Sequence, residues 1–114
     1  MKEFPSINRA RLEGTIEASA RIGATDDGGL HRLALSDQDK KMRDLFVQWL
    51  RDADLDVKVD DLGNIYGYRP GANKYLEPVV LGSHLDTQPN GGRFDGVLGV
   101  LSALEVVRTF NDWG

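Results

Sequence analysis

The chain of 114 residues has no cysteine, and this excludes a disulfide framework and any thiolate metal site. A metal held by this chain must therefore be held by histidine and carboxylate, and there are only two histidines. No apolar run approaches the length of a membrane span, and the opening MKEFPSINRARLEG is too polar for a secretory signal. Basic charge is also scarce. Fourteen Lys and Arg against 18 Asp and Glu leave a net charge of -4, with no basic block and no aromatic-interleaved basic stripe, so nucleic acid is not expected as a partner. These absences predict a soluble, cytoplasmic protein. What is present is enough for one core: 40% of residues are hydrophobic, and no repeat, low-complexity tract or linker divides the chain.

Asn8 or Ser6 is placed to cap a first helix running through Leu12, Ile16 and Ala20 and stopping near Gly23, with a thin apolar stripe. A turn-rich stretch, GATDDGGLHR, follows. Ser36 with Asp39 has the spacing of a capping box, and Met42, Leu45, Phe46, Trp49 and Leu50 then fall on one helical face. Leu55, Val57 and Val59 alternate with charged residues as a half-buried strand does, DDLGN turns the chain, and IYGYR reads as a second strand. The run PVVLGSH reads as a central strand covered on both faces. Val97, Val100, Leu101, Leu104, Val107 and Phe110 define a last helix packing back on that strand. The order predicts a layered α/β domain, a three-layer mixed sheet with helices on its faces.

Between the central run and the last helix lies GSHLDTQPNGGRFDG, Gly82 to Gly96, which concentrates polar chemistry at a predicted strand end. His84 and Asp86, two apart in extended backbone, point to the same side. The pair has two readings. A metal-binding imidazole commonly donates its second N–H to a carboxylate, and a histidine can equally bond an aspartate only to satisfy both groups. Asp95 is likewise open, either as an N-cap of the last helix or as a second metal ligand brought in by the tight turns at Gly91, Gly92 and Gly96. His31, beside Arg32, reads as a solvated turn residue, Arg93 as surface that could also reach an anionic substrate, and Trp49 as core. The aspartates from Asp52 to Asp61 lack the spacing of a calcium loop and read as a solvated face.

The segment GSHLDTQPNGGRFDGVLGVLSALEVVRTFND closely resembles the first metal-binding segment of the amidase and carbamoylase branch of the M20 metallohydrolases. That branch includes N-carbamoyl-L-amino-acid hydrolases, beta-ureidopropionases and allantoate amidohydrolases. GGLHRLALSDQDKKMRDLFVQWL and DVKVDDLGNIYGYRPG extend the resemblance over most of the chain from about Gly28. It implies the N-terminal portion of a zinc-exopeptidase-like catalytic domain occupying residues 1–114, with the remainder and the dimerisation or lid domain absent. It further implies that His84 ligates one metal, that Asp86 belongs to the catalytic machinery by orienting His84, and that Asp95 bridges two divalent metals, zinc or manganese. The implied reaction is hydrolysis of the carbamoyl C–N bond of an N-carbamoyl amino acid by a homodimeric enzyme. The proline in DTQP is more like the carbamoylases and ureidopropionases than the allantoate enzymes.

Departures from the family pattern are as informative. The adjacent-glutamate motif that supplies the general base, and two further ligand histidines, have no counterpart; Glu105 and His31 do not match them. Asp54 stands where the family commonly has glycine after a helix, at a small expected cost because aspartate tolerates the left-handed conformation. The expectation is a chain inactive by itself, with an uncovered strand edge that favours self-association. Competing expectations are an allantoate-type fragment, a non-catalytic α/β binding module, and an enzyme assembled from separate chains.

Overall fold

Ser36 Oγ accepts a hydrogen bond from the Asp39 amide at 3.2 Å, and Asp39 Oδ2 accepts one from the Leu35 amide at 3.0 Å. The expected capping box therefore forms, with its return bond on Leu35 instead of Ser36. In the computed structural model, which describes residues 3–114, this cap opens a helix of 16 residues, Asp37–Asp52. The order of elements is α1 (Arg9–Ala20), α2 (Asp37–Asp52), β1 (Asp56–Val59), β2 (Ile65–Tyr68) and α3 (Val97–Trp113). No helix among the described residues is long and apolar enough to cross a membrane.

The predicted face of α2 is the one that packs. Met42, Phe46 and Leu50 are buried and Trp49 packs partly against them, joined by Ala53, Leu55, Leu85, Val97, Val100, Leu101 and Leu104 in one core. Fully burying a side chain such as Met42 or Leu101 contributes about 2 kcal/mol. After α2 the chain turns through Asp54, whose φ of 60° is the left-handed conformation expected there. β1 and β2 then pair antiparallel in the register Asp56 to Tyr68 through Val59 to Ile65. The hairpin lies close on α2: a Cβ at Gly67 would come within 2.7 Å of Leu50 Cδ2.

α1 follows Asn8, which caps it by accepting from the Arg11 amide at 3.0 Å. Its thin apolar stripe, Leu12 and Ile16, packs partly against the core, and polar pairs supply the rest of its contact with α3. Arg11 Nε and Nη2 donate to the two oxygens of Glu105 at 2.9 and 2.8 Å, and Arg108 Nη1 donates to Thr15 Oγ1 at 3.0 Å. Burial of Glu105 and Thr109 on α3 also corrects the predicted face at its end: Phe110 is turned outward, 43% exposed.

The larger correction concerns the apolar run. Val79, Val80 and Leu81 form no strand and are exposed, Val79 at 90%. The expected three-layer mixed sheet is not built here: the described residues hold one two-stranded sheet, whose strands pair with each other. A strand covered on both faces needs neighbours to cover it, and these residues supply none. What does hold is the packing of the following residues on α3. Leu85 enters the core, and a Cβ at Gly99 would lie 2.9 Å from Ser83 Cβ, so the segment runs close along the helix. The architecture is α/β with three helices and a two-stranded sheet.

Candidate metal centre

The loop from Gly82 to Gly96 is held from beneath by residues 30–32. Leu30 and Gly91 exchange backbone hydrogen bonds at 2.8 and 2.9 Å, and His31 Nδ1 lies 2.6 Å from the Pro89 carbonyl. Arg32 and Thr87 pair through the Arg32 amide to Thr87 Oγ1, at 2.8 Å, and the Thr87 amide to the Arg32 carbonyl, at 2.7 Å. Sequence reasoning missed this support. His31 is exposed, as read, and is also bonded to the loop, while its neighbour Arg32, which the sequence did not single out, is fully buried. The available signal was a polar pair set between Leu30 and Leu33, where an extended backbone alternates its faces.

The side chains of His84 and Asp86 do share one side of the segment. His84 Nδ1 lies 2.9 Å from the Asp86 carbonyl oxygen and 3.4 Å from Asp86 Oδ1, with both side chains partly exposed. A neutral imidazole that donates from Nδ1 to either acceptor keeps the lone pair on Nε2. The ring rests on Gly96, where a Cβ would fall 2.1 Å from His84 Cε1. Gly96 has φ 74° and ψ -56°, a backbone open to glycine, and it occupies the N-cap of α3 without any side-chain cap.

Asp95 is therefore not the cap. Its carbonyl accepts from the Val97 amide at 2.9 Å, and the residue is exposed beside the glycine that carries the His84 ring. With the capping role vacated, the Asp95 carboxylate remains available to a ligand. His84 and Asp95 have the donor chemistry for a hard or borderline divalent metal. They do not form a complete site: among the described residues no group of three or more His, Asp or Glu side chains converges on one point. Arg93 leaves this centre, and its buried Nε has no partner among the described residues.

The loop thus brings a half-exposed His–Asp pair and a second carboxylate together at a helix start, donor groups that could contribute to a metal centre. No family model matches the chain. It is 49% identical over 108 residues to an N-carbamoyl-L-amino-acid amidohydrolase from Rhizobium meliloti, covering 95% of this chain and 26% of that protein. It is 41% identical over 108 residues to allantoate deiminase 1 from Glycine max, covering 95% of this chain and 22% of that protein. Among solved structures it resembles a hydantoinase/carbamoylase family amidase from Burkholderia ambifaria with a TM-score of 0.92 and 59% identity, over 95% of this chain and 26% of that one. The chain belongs to the hydantoinase/carbamoylase amidases, and it spans about a quarter of the length of the relatives it matches.

Proposed function

We propose that the complete protein hydrolyses the carbamoyl C–N bond of an N-carbamoyl amino acid at a dinuclear metal centre, and that this chain contributes part of that centre. The observation that carries the reading is the seat of His84: its Nδ1 faces Asp86 and its ring lies on the residue next to Asp95. In this reading His84 and Asp95 would help to hold the metal ions, and Asp86 accepts the His84 Nδ1–H and keeps the ring oriented. Bound divalent ions, zinc or manganese, would supply Lewis acidity and a more acidic water. The remaining ligands and the general base come from sequence outside these residues, so the chain by itself turns over no substrate. Similarity to the amidohydrolase of Rhizobium meliloti favours an N-carbamoyl-L-amino acid as substrate; N-carbamoyl-beta-alanine is the other candidate of the same chemical class. The similarity to a soybean allantoate deiminase supports a second reading with allantoate in that place.

The same proposal covers the architecture and the assembly. Val79–Leu81 becomes a central strand of a three-layer mixed sheet once further strands flank it, within a cytoplasmic homodimer. Calorimetric titration of zinc and manganese into the metal-stripped chain, beside a His84→Ala, Asp95→Ala double variant, tests the half-site. Binding by the parent that is lost in the variant supports the reading; equal heats from both would sink it. Release of ammonia from N-carbamoyl-beta-alanine by the chain alone would overturn the incomplete-site part.

A further inference from the structure

Arg32 is the largest fully buried side chain, and none of its hydrogen bonds goes to a carboxylate. Its Nε donates to the Leu85 carbonyl at 2.9 Å, Nη1 to the carbonyls of Ser19 and Ile22 at 2.8 and 3.0 Å, and Nη2 to Ser19 Oγ at 3.2 Å. Burying a guanidinium without a paired anion is unfavourable, and the desolvation draws its pKa below the ordinary arginine range, opposed by the charges of Asp39 and Asp86. A planar fork with fixed donor directions is what such a geometry requires, since its acceptors lie on two separate segments. Ser19 and Ile22 offer carbonyls at the end of α1, and Leu85 is the residue between His84 and Asp86.

We propose that Arg32 is the positioning residue for the His84–Asp86 pair. Its bond to the Leu85 carbonyl, reinforced by the Thr87 amide donating to the Arg32 carbonyl and the Arg32 amide donating to Thr87 Oγ1, orients the peptide from which both side chains diverge. That orientation seats the His84 ring on Gly96, beside Asp95. The inference rests on the metal reading of the site, but the geometry it predicts exists without metal. Arg32 touches neither metal nor substrate and acts through the main chain.

Nuclear Overhauser contacts between the His84 ring protons and the Gly96 α-protons, measured on the metal-free 114-residue chain, report the seat directly. Arg32→Lys keeps the charge and loses the fork; those contacts should vanish and the Leu85–Thr87 amides should exchange faster. Zinc affinity should fall about 10- to 100-fold, the range for residues that orient metal ligands. Glu105→Gln serves as a control that lowers stability at the α1–α3 contact and should leave the His84 contacts in place. If Arg32→Lys does not fold, Thr87→Val decides the matter, because it removes the acceptor of the Arg32 amide at nearly constant volume and should weaken the same contacts. Undiminished His84–Gly96 contacts in a folded Arg32→Lys, or in Thr87→Val where the lysine variant does not fold, would overturn the inference. A parent chain that binds no zinc would count against the metal reading, and the contact measurement would still decide the role of Arg32.

Discussion

His84 and Gly96 touch so closely that no side chain fits between them: a Cβ on Gly96 would stand 2.1 to 2.4 Å from three atoms of the ring. Gly96→Ala therefore carries two penalties, a steric clash and an alanine at φ 74°. The backbone strain alone is about 1–3 kcal/mol. Urea unfolding of Gly96→Ala should show a loss of at least that order, and metal affinity should drop because the displaced ring leaves the neighbourhood of Asp95. A variant as stable and as metal-competent as the parent would contradict this account.

Glu105 is 1% exposed and takes four hydrogen bonds, two from Arg11 and one each from the Asn8 amide and Thr109. The bonds from Arg11 hold its carboxyl below the usual value of 4.5, helped by Asn8 and Thr109 against desolvation. A depressed folded pKa means that this stabilisation is complete above the unfolded value and is lost as pH falls through the folded one. Stability should thus decline on acidification below about pH 4.5, and Glu105→Gln should flatten that decline. Glu105→Ala at pH 7 should cost about 1–3 kcal/mol, the range for buried donors left without an acceptor, since Arg11 is partly exposed and keeps Asp112. Urea midpoints between pH 3 and 7, taken as rough limits of a two-state range, provide the measurement.

Asp54 holds a left-handed φ of 60° just after α2. Glycine adopts this conformation without steric cost, although it also raises the entropy of the unfolded chain. Asp54→Gly should raise stability modestly, by about 0.5 kcal/mol. Thermal unfolding of the single variant is sufficient to check the sign.

Val79, Val80 and Leu81 are 90, 75 and 56% exposed and consecutive. An extended apolar segment without strand partners offers backbone and side chains to a second copy. Sedimentation velocity should show association that rises with concentration, and Val80→Lys should suppress it. A sharply monomeric profile for the parent at high concentration would be the contrary result.

Much of the local structure was legible because it depends on neighbours in sequence. The Ser36 cap, the buried stripe Met42, Phe46 and Leu50 and the β1–β2 hairpin follow from spacing and backbone preference over a few residues, while the left-handed Asp54 was implied by the resemblance, which has glycine there. The shared side of His84 and Asp86 was legible for the same reason, since residues two apart in extended chain face alike. The PVVL run misled because composition cannot tell whether the strands that would cover it are at hand. Asp95 stood open in sequence between an N-cap and a metal ligand, and the turn at Gly96, which moved the cap of α3 one residue on, removed the first of these.

By itself, the sequence determined which residue types are available for metal chemistry, the kinship of the chain, and every element whose cause lies within about one turn of helix or one hairpin. The tertiary structure alone decided that Arg32 is buried beneath the loop, that Glu105 pairs with Arg11 across α1 and α3, and that His84 rests on Gly96. Those relations join residues separated by 12 to 94 positions, such as Gly96 with His84 and Arg11 with Glu105. Their energy is that of burying charge and closing van der Waals gaps, quantities set by the packing that surrounds a residue and not by its neighbours in the chain.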